Sequence, residues 1–144
     1  MSSSGSGVGH INGLAVFAAG TCPGDVITAH IIFVKKNYAI AKSKSIDVSS
    51  PDRAENDCKA FPSCGGCAYR HIKYEKELEI KRQCVANAMK RIGHLDIDVM
   101  PVTCALQHDR YRNKSQRPAE MQNGILKTGF YAYNSHRIID ISDC

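Results

Sequence analysis

Cys58-Lys59-Ala60-Phe61-Pro62-Ser63-Cys64-Gly65-Gly66-Cys67 sets three cysteines at C-x5-C-x2-C spacing, and a further cysteine, Cys144, ends the sequence. Thiols crowded into one loop, with two glycines that let the backbone curl and turn N–H groups toward sulfur, suit a soft metal centre better than disulfides. Cys58, Cys64, Cys67 and Cys144 are therefore the candidate metal ligands. A zinc ribbon offers two similar short pairs of ligands. Three ligands from one loop and one from far along the chain fit instead the separate irons of a cubane cluster. With four thiolates a [4Fe–4S] cluster would be closed, and its role structural or redox. A zinc ion and three crowded thiols without a metal are the alternatives.

Outward from this loop, composition sets bounds. A chain of 144 residues makes one domain or two small ones. Seven cysteines without an apolar leader point to the reducing cytoplasm, where thiols serve metals. No run approaches the roughly 20 apolar residues that cross a membrane. The net charge is +5, and all of the excess follows Asp57. Between Arg110 and Arg137 six cations face one acid, Glu120. Arg112, Lys114, Arg117 and Lys127 are candidate phosphate contacts, and Lys35 and Lys36 form a smaller candidate patch upstream.

Before the loop, Met1 to Gly7 is a Ser/Gly-rich lead with no core residues. Short β-prone runs follow, Leu14 to Phe17 and Val26 to Val34, with Pro23-Gly24-Asp25 as punctuation. Alternation puts Ile27, Ala29, Ile31 and Phe33 on one face. Lys35-Lys36-Asn37 reads as a turn and Tyr38 to Lys44 as the returning strand. These runs predict a small OB-like β-barrel over residues 1–54. Ser49 to Arg53 is a linker into the cysteine loop. The second part, residues 55–144, is expected to hold the loop, one long helix and an antiparallel sheet, making the chain α+β. The spacing of Ile72, Leu78, Val85, Met89 and Ile92 predicts a helix over 69–91 that starts directly from the loop, with Gly93 closing it. Glu77 and Lys81 form a favourable i,i+4 pair. Cys84 is expected as a small apolar residue of that helix, Cys22 as a turn or core residue, and His10 and His30 as strand residues. Strands are predicted over 109–116, 125–131 and 137–141, with turns at Gln122-Asn123-Gly124 and Asn134-Ser135-His136.

Several of these residues carry a resemblance. The run Cys58…Cys64-Gly65-Gly66-Cys67-Ala68-Tyr69-Arg70-His71-Ile72-Lys73-Tyr74…Arg91-Ile92-Gly93 resembles the iron–sulfur segment of the TRAM-domain RNA uracil-5-methyltransferases. Upstream, Ala15-Val16-Phe17, Pro23-Gly24-Asp25 and Ser50-Pro51-Asp52-Arg53 are similar to the TRAM domain of that family. Downstream, Tyr111-Arg112-Asn113-Lys114, Gly129-Phe130-Tyr131 and Ser135-His136-Arg137-Ile138 are similar to its central-domain strands. Two departures stand out: the Ser/Gly lead sits where the family has a first TRAM strand, and Arg117 sits where it commonly has an apolar residue.

The resemblance implies the RNA-binding, cluster-carrying front part of an enzyme that moves a methyl group from S-adenosylmethionine to C5 of a uridine in 23S rRNA or tRNA. The nucleophilic cysteine, the base and the methyl-donor domain are expected C-terminal to Cys144, so no catalytic residue is assigned here and the chain alone is expected to be inactive. The other reading is a free-standing metal- and RNA-binding module with no methyltransferase activity.

Overall fold

The computed structural model describes residues 1–142 and Cys144. Its elements are β1 (Gly7–Ile11), β2 (Leu14–Ala18), β3 (Val26–Val34), β4 (Tyr38–Val48), α1 (Tyr74–Arg91), β5 (Ala119–Gln122), β6 (Ile125–Tyr131) and β7 (Ile138–Asp140). They fall into two compact units, Met1–Glu55 with Tyr69–Cys104, and Asn56–Ala68 with Ala105–Cys144. The helix therefore groups with the first sheet, where its place in the sequence put it with the cysteine loop.

In the first unit, Asn12 and Gly13 both take left-handed φ values, 49° and 80°, and so make the two-residue hairpin that joins β1 to β2. β2 pairs parallel with β4, and β3 pairs antiparallel with β4, giving the order β1-β2-β4-β3. The Lys35-Lys36-Asn37 turn is present, closed by the Lys35 N–H donating to the Tyr38 carbonyl at 2.8 Å. The expected barrel is not closed: β1 and β3 are the sheet's two edges, and no ladder joins them among the described residues. β3 also departs from simple alternation. Register shifts at Val26/Ile27, Thr28/Ala29 and Ile31/Phe33 bend it, and both of its faces are exposed apart from half-buried Ile27.

The Ser/Gly lead is folded, contrary to its composition. Met1 packs against the buried cluster of Cys22, Ile72 and Ile80, with Tyr69 and Cys84 beside it. Ser2 and Ser6 hold the lead in a turn through the Ser2 N–H to the Ser6 carbonyl at 2.8 Å and the Ser6 N–H to the Ser2 hydroxyl at 3.0 Å. β1, starting at Gly7, is the first strand.

The two turn motifs of this unit meet. Asp25 accepts the Cys22 N–H at 2.7 Å, the Ser50 N–H at 2.9 Å and two Arg53 nitrogens, while Arg53 also donates to the Gly20 carbonyl at 3.1 Å. Burial alone would raise the Asp25 carboxyl; the Arg53 hydrogen bond and the two backbone donors outweigh it and hold the group below the usual carboxylate value.

The helix begins at Tyr74, five residues later than its spacing suggests. Residues 69–73 are committed elsewhere: Arg53 bridges Ile72, the Ala54 N–H reaches the His71 carbonyl at 3.0 Å, and the Lys73 N–H reaches the Asp52 carbonyl at 2.9 Å. The helix buries Ile80, with Cys84 half-buried one turn on, while Val85, Met89 and Ile92 of the expected face are exposed. Gly93 follows the Ile92 cap as expected, but the left-handed residue is His94. Gly93 is required by closeness instead, since a Cβ there would sit 2.8 Å from the Met89 carbonyl oxygen. Lys81 and Glu77 form the expected ion pair.

His71 is 2% exposed, and its Nε2 lies 3.1 Å from the Thr21 carbonyl oxygen, which can only accept, so Nε2 carries the hydrogen. Burial pushes the ring below its ordinary value; the Thr21 contact opposes this more weakly. A His whose folded pKa is depressed binds a proton more readily when unfolded, so its share of stability is intact above about pH 6.5 and falls as the pH drops below it. Melting temperature should decline on acidification from pH 7 toward 5, and His71→Gln, which keeps the donor to Thr21, should flatten that decline. An unchanged slope in the variant would refute this.

In the second unit β5, β6 and β7 form an antiparallel sheet in that order. Asn123 and Gly124, both left-handed at φ 53° and 77°, make the β5–β6 hairpin. Gly129 has no room for a side chain, because a Cβ would fall 1.9 Å from the Ile139 carbonyl oxygen. The strand expected over 109–116 is not formed. Arg110 is left-handed at φ 52°, which interrupts an extended run.

Candidate metal centre and basic pocket

All four candidate thiols belong to the second unit. The loop that carries three of them is fixed by its own backbone. The Asn56 side chain accepts the Cys58 N–H at 3.2 Å and donates to the Cys58 carbonyl at 3.1 Å, an Asx turn at the loop's entry. The Phe61 N–H reaches the Cys58 carbonyl and the Cys64 N–H reaches the Ala60 carbonyl, at 3.1 and 2.9 Å. Cys64 then bridges Ala132, and the Gly65 N–H donates to the Tyr131 carbonyl at 2.9 Å, which lays the loop against the end of β6. Gly65 permits this approach, since a Cβ there would lie 2.9 Å from the Tyr131 oxygen and 3.1 Å from the Tyr133 nitrogen.

The Gly66 N–H points at the Cys64 sulfur, 3.3 Å away. N–H groups directed at sulfur stabilise thiolate over thiol and are the usual outer partners of a thiolate ligand. A hydrogen bond to the Tyr111 side chain raises the Arg112 guanidinium. Among the described residues no three His, Cys, Asp or Glu side chains are gathered at ligand distances. Chemically the donors are those a soft metal takes: four thiols in one unit, one with an N–H on its sulfur.

Of the other cysteines, Cys22 is buried, its thiol pushed up by burial, and Cys84 is half-buried against the same cluster, as expected for small core residues. Cys104 is exposed.

The expected phosphate contacts separate by location. Arg112 and Lys114, with Ser115, Gln116 and Phe130, line an open pocket of about 460 Å³ in the second unit. Arg117 faces Phe130 at 5.9 Å and donates to the Ile141 carbonyl at 2.9 Å, so it helps to hold the chain's last segment. That role explains a cation at a position where an apolar side chain would also pack. Lys127 sits half-buried on β6 opposite Glu120. Lys35 and Lys36 lie in the first unit, at the β3–β4 turn. No helix of the described residues is long and apolar enough to cross a membrane.

The TRAM domain matches residues 1–44. A protein of Listeria monocytogenes serotype 4b named an uncharacterized RNA methyltransferase is 47% identical over 141 residues, 97% of this chain and 31% of its own length. Similarly named proteins of Clostridium tetani and Bacillus cereus are 40% and 37% identical, again over 31% of their length. The chain thus spans about a third of the length of the relatives it matches. It carries a TRAM domain over residues 1–44 and is similar along nearly its whole length to part of proteins named RNA methyltransferases.

Proposed function

We propose that this chain is the RNA-binding, [4Fe–4S]-carrying portion of an S-adenosylmethionine-dependent RNA uracil-5-methyltransferase acting on 23S rRNA in the cytoplasm. The observation that carries the reading is the second unit's combination of four thiols with a basic pocket built on Arg112 and Lys114. Cys58, Cys64, Cys67 and Cys144 would hold the cluster, and a cluster so closed ties loop to strand and leaves no iron open to substrate. Arg112 and Lys114 would meet phosphates and Phe130 would meet a base or sugar. The methyl donor and the groups that attack C6 and remove the C5 proton are assigned to the part of the relatives' length outside the matched third. A four-thiolate zinc site would serve the same tethering purpose.

Binding to a structured 23S rRNA fragment should weaken steeply with salt. Lys114→Gln should lower affinity across RNA sequences and reduce the slope of log affinity against log salt by about 0.7 to 0.9, one phosphate contact. Salt-independent binding, or no binding, would overturn the RNA reading. Mass-spectrometric mapping of 23S rRNA from cells lacking the gene should show one uridine that has lost its 5-methyl group; an unaltered map would overturn the substrate.

A further inference from the structure

In the first unit, α1 and the segment that follows it leave an apolar face in solvent. Val85, Met89 and Ile92 stand at helical spacing along one side of α1 and its cap, and all three are exposed, Ile92 at 81%. The chain then turns back on the helix. The Leu95 N–H donates to the Met89 carbonyl at 3.0 Å, and Lys90 Nζ lies 3.3 Å from Asp96. Further on, Arg82 donates to Asp98 at 2.9 Å and to the Val99 carbonyl at 2.5 Å. Residues 95–99 are therefore laid along the helix, running from its end back to Arg82, with Leu95 and Ile97 exposed and Met100 beyond them 76% exposed. Six apolar side chains on one helix and one returning segment exceed the scattered exposure that is normal on a folded surface.

The backbone of this segment is also open to pairing, since no ladder among the described residues includes residues 95–100. Charged side chains at a free edge ordinarily keep other strands away. Here Asp96 and Asp98 are taken up by Lys90 and Arg82. The same pairing occupies those two cations, so the face suits an apolar protein surface and not a polyanion. Length selects the occupant. Relatives similar to this chain over 97% of it carry the larger part of their own length outside the match. We propose that this face is the docking surface for the domain that fills that remaining length in the complete protein. That domain covers Val85, Met89 and Ile92 with apolar side chains and sets a strand edge against residues 95–100. The proposal rests on reading the chain as a portion of a longer enzyme, and it adds which face of the portion the remainder covers.

Amide hydrogen exchange on the complete gene product tests this directly. Residues 113–117 of the second unit stand outside every ladder and serve as the fast reference. If the face is docked, the amides of residues 96–100 should exchange more than about tenfold more slowly than that reference, as a face open less than about a tenth of the time requires. Ile92→Asp combined with Ile97→Asp, both at positions exposed within the first unit and therefore compatible with its fold, should return residues 96–100 to the reference rate. The α1 amides around buried Ile80 should stay protected in that variant, which shows that the unit itself is intact. Reference-rate exchange at residues 96–100 in the wild-type protein, or protection that survives the double substitution, would overturn the docking face. Protection that vanishes on dilution would overturn the occupant in favour of a second copy of the chain. Unprotected residues 96–100 in a protein that still methylates 23S rRNA would overturn the face and leave the enzyme reading standing; protected ones in a protein inert toward RNA would keep the face and end that reading.

Discussion

Asp25→Ala should cost the first unit about 3 to 5 kcal/mol, the usual loss when one partner of a buried ion pair is removed. The side chain of Asp25 is 1% exposed and that of Arg53 19%, so solvent screens the pair poorly from the Asp25 side. Removing the carboxylate strands the Arg53 guanidinium and also leaves the Cys22 and Ser50 N–H groups without their acceptor. For a chain this size the melting temperature should fall by roughly 10 °C or more. Asp25 joins the β2–β3 connection to the segment after β4, and that segment in turn pairs with residues 71–73 ahead of the helix. The loss should therefore appear at once in sheet and helix signals. A change below about 1 kcal/mol would refute the idea that this carboxylate closes the unit. The pH dependence has a definite sign: the folded carboxyl is depressed, so its contribution is complete above the ordinary carboxylate value and is lost as the pH falls through the folded one. Wild type should show that acid loss, and Asp25→Ala should not.

Much of this arrangement was legible in the sequence because it rests on local chemistry. Asn123-Gly124 announces its hairpin through two left-handed residues; Asn12-Gly13 makes β1–β2 by the same rule, at a place where the neighbouring Ser/Gly lead gives no expectation of a strand. That lead folds because Met1 fills a gap beside Cys22 and Ile80, a long-range contact with no trace in local composition. Pro23-Gly24-Asp25 and Ser50-Pro51-Asp52-Arg53 are visible as separate turns; nothing local shows that the carboxylate of one meets the guanidinium of the other. Helical periodicity continues upstream through Ile72 to Tyr69, yet burial of His71 and Ile72 beside Thr21 and Cys22 of the β2–β3 connection claims that backbone. Tertiary demand outweighs propensity there, and again in β3, where bulges defeat an alternation that reads cleanly. For the candidate centre, the cysteine spacing marked the thiols, and the positions of Asn56 and Gly65 became meaningful only once the loop lay against β6.

Gly65 gives the sharpest test of that placement. A loop that merely carried three thiols would tolerate an added methyl group, but here the methyl would meet three backbone atoms at and just past the end of β6, none of which can rotate away. Gly65→Ala should break the hydrogen bond to Tyr131, lift Cys64 from Ala132, and separate the loop from the sheet. Anaerobically reconstituted wild-type protein should be brown with a full complement of iron. Gly65→Ala should lose most of its metal, approaching Cys64→Ser, although it removes no ligand. Gly66→Ala should do less, because its Cβ would come no nearer than 3.4 Å to the Cys64 sulfur, at the edge of ordinary contact. Cys104→Ser, which alters an exposed thiol outside the set, should load as wild type does. Full loading of Gly65→Ala would show that the sheet does not position the thiols, and a colourless wild-type protein with one zinc per chain would replace the cluster with a tetrahedral ion. In either four-thiolate case Cys144→Ser should weaken the centre, since it removes one of the four ligands.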